Sequence, residues 1–249
     1  MKIKKALPVV VLIILLSILS VVAFAASYDE VIKKWTREKT YKDKFQAELT
    51  IKATYYASEY IDALIQKEAE RNLWTKDEME NYQYQLLKSL SLEEYVPFYI
   101  EFDNRGPAMH MAPFDEQVTL WVGKKQYKPV DYEKRFNFAL TGKRGGFVYF
   151  PRYNNKGKSI LEGAKTIRLT INGAISAQTI GKTIEFYWDI DKDSGGAYLA
   201  GKAAERLEAD RLIKRLEKLN DQRKELQKQL EQLDEEIKKI EERLAELEE

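Results

Sequence analysis

The chain of 249 residues has no cysteine and a single histidine, His110. Without cysteine there is no disulfide framework, no thiolate nucleophile and no structural zinc of the Cys/His kind, so core packing and association must hold the fold. A serine–histidine–aspartate site would have to use His110, and no Gly-x-Ser-x-Gly elbow is present. Charge of one sign is lacking too: 41 basic against 40 acidic residues leave a net +1. Such a balance gives no bulk field for nucleic acid, and that partner class is set aside. No paired acid and base can be picked out, so the chain is read as non-enzymatic, with no cofactor expected.

Two short patterns invite metal chemistry. Met109-His110-Met111 offers thioether and imidazole ligands suited to Cu(I). In an extended segment, though, the methionines point one way and the imidazole the other. The plainer reading is a loop whose methionines pack beneath Phe114. Asp189, Asp191 and Asp193 are spaced two apart, as in hard-cation loops. The pattern departs from an EF-hand at Ser194, where glycine is needed, and at Ala200, where glutamate is needed. The plainer reading puts Asp189 and Asp191 on the solvent face of a last strand, with Asp193 or Ser194 capping the outgoing helix. No metal is expected, and these three aspartates are weak candidates.

What is present begins with an export signature. Lys2, Lys4 and Lys5 precede an apolar run from Ala6 to Ala26, interrupted by Pro8, Ser17 and Ser20. Ala23-Phe24-Ala25 then supplies small residues at the positions a signal peptidase reads. Residues 1–25 are expected to be a signal peptide or, uncleaved, a membrane anchor, with the remainder periplasmic, secreted or in the cell envelope. Contact with a membrane is expected only if the segment is retained.

A helical lead-in is expected over 26–44, with Trp35 docking it. Phe45 to Tyr55 alternates apolar and polar residues, the period of a half-buried strand. Ser58 is read as the cap of a helix whose buried side carries Tyr60, Ala63, Leu64 and Ala69, closed by Trp74. Thr75, with Glu78 three residues on, forms a capping box for a second helix running to about Leu90. Strands are expected at 95–103, 118–122, around Phe136-Phe138-Leu140, at 147–150, at 167–171 and at 184–190. Turns are expected at 104–107, 142–146, 154–157 and 172–173. Seven strands with a helical pair inserted at about 58–90 predict an all-β-like two-sheet sandwich over 45–193. The alternating first strand, the helical excursion, Phe-Val-Tyr-Phe-Pro-Arg at 147–152 and the closing Phe-Tyr-Trp at 186–188 resemble immunoglobulin-like domains of uncharacterised exported bacterial proteins. The resemblance covers about residues 40–191. It implies an architecture and no activity.

The fifteen tyrosines include Tyr55, Tyr56, Tyr60, Tyr82, Tyr84, Tyr149, Tyr153 and Tyr187 around the strands. They either fill the core or line a face that stacks on sugars or peptides.

Residues 194–249 are expected to form a long coiled-coil helix. Leu212, Leu216, Leu219, Leu226, Leu230, Leu233, Ile237, Ile240, Leu244 and Leu247 recur at alternating spacings of four and three. In heptad terms Leu212 opens the d series and Ala209 the a series, and eleven of the twelve a and d places are apolar, Arg223 being the exception. A lone helix cannot bury that seam, so a homo-oligomer is expected, or a second envelope protein as partner. In a parallel pair Arg243 would attract Glu248 while Glu236 would repel Glu241, which leaves strand number and direction open. The reading is a structural or interaction protein: a sandwich head on an oligomerising stalk. A holdase-like chaperone or adaptor and a saccharide- or peptide-binding module are the alternatives. The acidic end at Glu246-Leu247-Glu248-Glu249 counts against client-holding tips.

Overall fold

A computed structural model describes residues 28–196, 198 and 201–248. The chain divides between Ala200 and Gly201 into two compact units. The expected signal segment lies outside the described residues. No helix among the described residues is long and apolar enough to cross a membrane.

Among the described residues the first unit starts with a helix over 28–35, α1. Strand β1 (Thr36–Lys42) follows and pairs antiparallel with β2 (Glu48–Tyr55), from Thr36 opposite Thr54 to Lys42 opposite Glu48. The lead-in is therefore helical only to residue 35, and the sheet begins at Thr36 rather than at Phe45. Residues 43–47 are the hairpin turn, where the Asp43 carboxylate accepts the amides of Phe45 and Ala47 at 2.8 and 3.0 Å. β1 carries no apolar alternation because it is an edge strand bound through polar cross-strand pairs. The hydroxyls of Thr36 and Thr54 lie 3.0 Å apart, those of Thr40 and Thr50 2.9 Å, and Lys52 meets Glu38 at 3.1 Å.

Helices α2 (Ser58–Arg71) and α3 (Lys76–Leu90) form the inserted pair. Ile61 and Ile65 are buried on α2 along with Tyr60, Ala63 and Ala69, while Leu64 is only half-buried. Trp74 lies past the end of α2 and packs on Tyr82 of α3 at 4.7 Å. Thr75 makes the capping box with Glu78, whose carboxylate takes the Thr75 amide at 2.7 Å.

The long strand β3 (Tyr95–Met109) leads through a short turn of helix, α4 (Phe114–Gln117), to β4 (Val118–Val122) and β5 (Lys125–Tyr127). Next come β6 (Asp131–Tyr132), β7 (Leu140–Pro151), β8 (Thr166–Asn172) and β9 (Thr183–Asp189). Nine strands among the described residues, rather than seven, make two antiparallel sheets: β1-β2-β3-β7-β6 and β5-β4-β8-β9. The chain passes between the sheets after β3, after β5 and after β7. Leu49, Ile51, Phe98, Ile100, Phe102 and Phe150 from the first sheet share one buried cluster with Val118, Leu120, Leu169, Ile171, Phe186 and Trp188 from the second.

Two sequence expectations fail around β7. Phe136 and Phe138 are not in a strand: residues 134–137 form a 3-10 turn that buries Phe136 and leaves Phe138 exposed. The glycines at 142, 145 and 146 lie inside β7, not in a turn. Only Gly142 has a positive φ, +70°; at Gly145 and Gly146 the need is room. A Cβ would stand 2.4 Å from the Tyr99 hydroxyl at Gly145 and 2.3 Å from Glu133 Cβ at Gly146. β3 bulges between Asn104 and Met109, where the Asn104 side-chain amide donates to the carbonyls of Pro107 (2.7 Å) and Leu140 (3.0 Å).

The second unit is α5 (Lys202–Glu248), a helix of 47 residues. It holds no glycine or proline and is made largely of alanine, leucine, glutamate, lysine, glutamine and arginine, the best helix formers. The helix begins at Lys202, later than the expected residue 194: Asp193, Gly196 and Tyr198 are instead bonded to the helices of the first unit.

Candidate functional site

The outer face of the five-stranded sheet has an aromatic half and a polar half, which follow one another along β3. Val96, Phe98, Ile100 and Phe102 of β3 point into the core, which turns Tyr95, Tyr99, Glu101 and Asp103 outward. Across the register Tyr99 faces Phe147, Pro97 faces Tyr149 and Glu101 faces Gly145. The polar half is held by Lys143–Glu101 at 3.2 Å beside the Lys52–Glu38 pair. On the aromatic half Phe147 meets Tyr99 and Tyr56 edge-on, each at 5.2 Å, and stacks on Tyr149 at 5.8 Å. Tyr95 meets Tyr149 at 5.8 Å. Helices α2 and α3 flank this half: Tyr56 packs on Tyr60 at 4.7 Å, and the Tyr149 hydroxyl donates to the Ser89 carbonyl at 3.4 Å.

Beside Phe147 and Tyr149 lies a cleft of about 330 Å³, completed by Asp131, Tyr132, Glu133 and Lys134. A hydrogen bond from Lys134 (2.9 Å) holds the Asp131 carboxyl below the usual carboxylate range. Arg135 does the same for Glu133 at 3.1 Å. Both groups are thus kept ionised. A hydrolytic carboxyl pair needs one partner with a raised pKa to donate a proton, and this pair lacks it. The cleft offers stacking surface and acceptors, which suits binding.

Of the tyrosines singled out in sequence, Tyr55, Tyr60 and Tyr84 are buried, Tyr56, Tyr82 and Tyr149 are half-buried, and Tyr153 and Tyr187 are exposed. Sequence reading missed Tyr95, Tyr99 and Phe147, because their neighbourhood depends on the β3–β7 register. Met109 and Met111 are buried and His110 is exposed, so the three side chains do not converge.

The aspartates do not converge either. Asp189 pairs with Lys192 at 2.9 Å and Asp191 is exposed. Asp193 does cap a helix, but it is α2, not the outgoing one. Its two oxygens accept the amides of Ser58 and Glu59, each at 2.8 Å. Ser58 is then the first helical residue, and α2 has no side-chain cap of its own. The contact is reciprocal: Asp62 of α2 accepts the amides of Gly196 (2.6 Å) and Tyr198 (2.8 Å), and Gln83 of α3 donates to the Tyr198 carbonyl at 2.7 Å. At Gly195 a Cβ would come within 2.0 Å of the Glu59 nitrogen. No group of three or more potential ligands able to hold a metal occurs among the described residues. Asp193→Ala is expected to cost about 1–2 kcal/mol, since two amides at a helix N-terminus lose a charged acceptor. Thermal unfolding should show a fall of about 3–6 °C, and an unchanged midpoint would refute the capping role.

On α5, Leu212, Leu216, Leu219, Leu226, Leu230, Leu233, Ile237, Ile240 and Leu244 are all between 52% and 63% exposed. The side chain of Leu247 lies outside the described residues. An apolar row this long, open along its whole length, is the largest unpartnered hydrophobic feature of the second unit. The other faces carry charged and amide residues, with exposed contacts such as Gln229–Glu225 at 3.1 Å. No protein-family model matches the chain, and no curated protein or solved structure matches it either.

Proposed function

We propose that the chain is a non-enzymatic structural or interaction protein of the cell envelope, exported by its N-terminal segment. Its head is an immunoglobulin-like sandwich in the broad sense, and α5 is a coiled-coil stalk that joins copies of the chain. The observation that carries this reading is the exposed leucine and isoleucine row on α5, whose heptad spacing matches the seam of a partner helix. Two antiparallel sheets around one core support the sandwich, and the charged run at 2–5 before an apolar segment supports export.

The test is light scattering after size exclusion on residues 26–249 and on residues 26–200. The longer form is expected at a multiple of its chain mass and the shorter at one chain mass. Two monomers would end the proposal. A second reading, a saccharide- or peptide-binding head, is favoured by the half-exposed Tyr95-Tyr149-Phe147-Tyr99 row beside the acidic cleft. The two readings are compatible, since a joined pair of heads would bind a repeating ligand with increased avidity.

A further inference from the structure

We infer that α5 pairs with a second copy of itself in antiparallel sense along its whole length, the twofold axis crossing between Lys224 and Glu225. This rests on the proposal that the α5 seam joins copies of the chain, and adds direction and register to it. α5 is one unbroken helix from Lys202 to Glu248, so the positions flanking the seam keep a fixed relation to it throughout. In an antiparallel pair, a residues face d residues, and the flanking e and g positions each meet their own kind on the partner.

With the axis at 224/225, Leu216 faces Leu233 and Leu219 faces Leu230 of the second copy. Arg223 faces Leu226, so the two copies of Arg223 fall in different layers. Flanking the seam, Glu208 meets Arg243, Arg215 meets Glu236 and Arg206 meets Glu241. Symmetry makes each pair twice, and no like charges oppose. Sliding by one heptad sets Glu208 against Glu236 in one direction and Arg215 against Arg243 in the other. A parallel pair in register does worse: the Glu236–Glu241 repulsion offsets the Arg243–Glu248 attraction, and Arg223 faces itself within one layer. Arg206, Glu208 and Arg243 already make contacts within the chain, and surface ion pairs of that kind exchange at little cost. The charge pattern therefore selects one direction and one register, which the apolar row alone does not.

The consequence is geometric. The Lys202 end of each helix lies beside the last turn of the other, so the two points at which heads are attached stand about 70 Å apart.

The absence of cysteine makes the test clean. Lys214→Cys places a single spin label at the outer f position of residues 26–249. The antiparallel pair separates the two labels by about 30 Å or more along the axis. A parallel pair holds them at one level, within about 20 Å. Glu236→Lys gives an independent sign: it is expected to weaken the dimer about fivefold, with recovery on adding Arg215→Glu. In a parallel pair Glu236→Lys would instead tighten it. A short label distance or tightening in a dimer overturns this inference and leaves the oligomer proposal standing. A monomer by light scattering overturns both.

Discussion

Trp188→Ala is expected to lower the stability of the first unit by about 3–5 kcal/mol and its thermal midpoint by about 10–15 °C. Trp188 is 1% exposed and packs its ring against Phe98 at 5.3 Å, Phe186 at 6.3 Å and Tyr55 at 6.4 Å. It therefore bridges the two sheets, taking contacts from β2 and β3 on one side and from its own β9 on the other. Its indole nitrogen also donates to the Trp35 carbonyl at 2.8 Å, and the Trp35 indole donates to Glu59 of α2 at 2.9 Å. Truncation would open a cavity and leave the Trp35 carbonyl buried without its donor. Trp188→Phe keeps a ring in place, and its smaller loss, about 1–2 kcal/mol, combines the missing hydrogen bond with a smaller cavity. Chemical denaturation of residues 26–249 and the two variants checks both values. Equal losses for Ala and Phe would mean that packing is not the main term.

The second large effect is expected in alkali. Burial is the leading cause that pushes the phenols of Tyr55, Tyr56, Tyr60 and Tyr198 above their ordinary value of 10.0. For Tyr56 the neighbouring Tyr60 adds to the rise. A phenol whose folded pKa is raised contributes stability that is fully present below its unfolded pKa and lost as pH climbs past that point. Each buried phenol that ionises only on unfolding removes about 1.4 kcal/mol per pH unit above about 10. Tyr55 and Tyr56 together would remove about 5.5 kcal/mol by about pH 12, the lower end of a typical domain stability. Unfolding is therefore expected near about pH 12, with tyrosinate absorbance and circular dichroism changing together between about pH 11 and 13. Tyr55→Phe should flatten the descent. Gradual tyrosine ionisation with unchanged dichroism through that range would contradict the burial argument.

How much of this was legible in the sequence depends on the distance over which each feature is determined. The Thr75–Glu78 box, β4 at 118–122 and the period of α5 are local, and sequence reading places them correctly. β1 escaped because an edge strand tied by Thr–Thr and Lys–Glu pairs has no apolar period to detect. Gly145 and Gly146 read as a turn in the sequence because a glycine serving a close approach looks like one serving a bend; only the position of Tyr99 and Glu133 distinguishes them. The local pattern points to Ser58, the nearest suitable side chain, as the cap of α2, whereas the acceptor comes from Asp193, 135 positions away. The aromatic half of the first sheet was invisible for the same reason: no local pattern says that Phe147 will lie beside Tyr99. Direction along α5 was a different kind of gap. The Glu236–Glu241 conflict in a parallel pair could be read at once, but the antiparallel alternative becomes specific only when the helix is continuous from Lys202 to Glu248.

The clasp that residues 193, 196 and 198 make with the inserted helices also closes the first unit around its last strand. Asp193, Gly196 and Tyr198 are bonded to Ser58, Glu59, Asp62 and Gln83, so the chain leaving β9 is tied to two helices within a few residues. β9 lies at the edge of its sheet, with a neighbour on one side only. Fraying of the strand that carries Trp188 from its outgoing end must therefore break bonds that do not belong to the sheet at all.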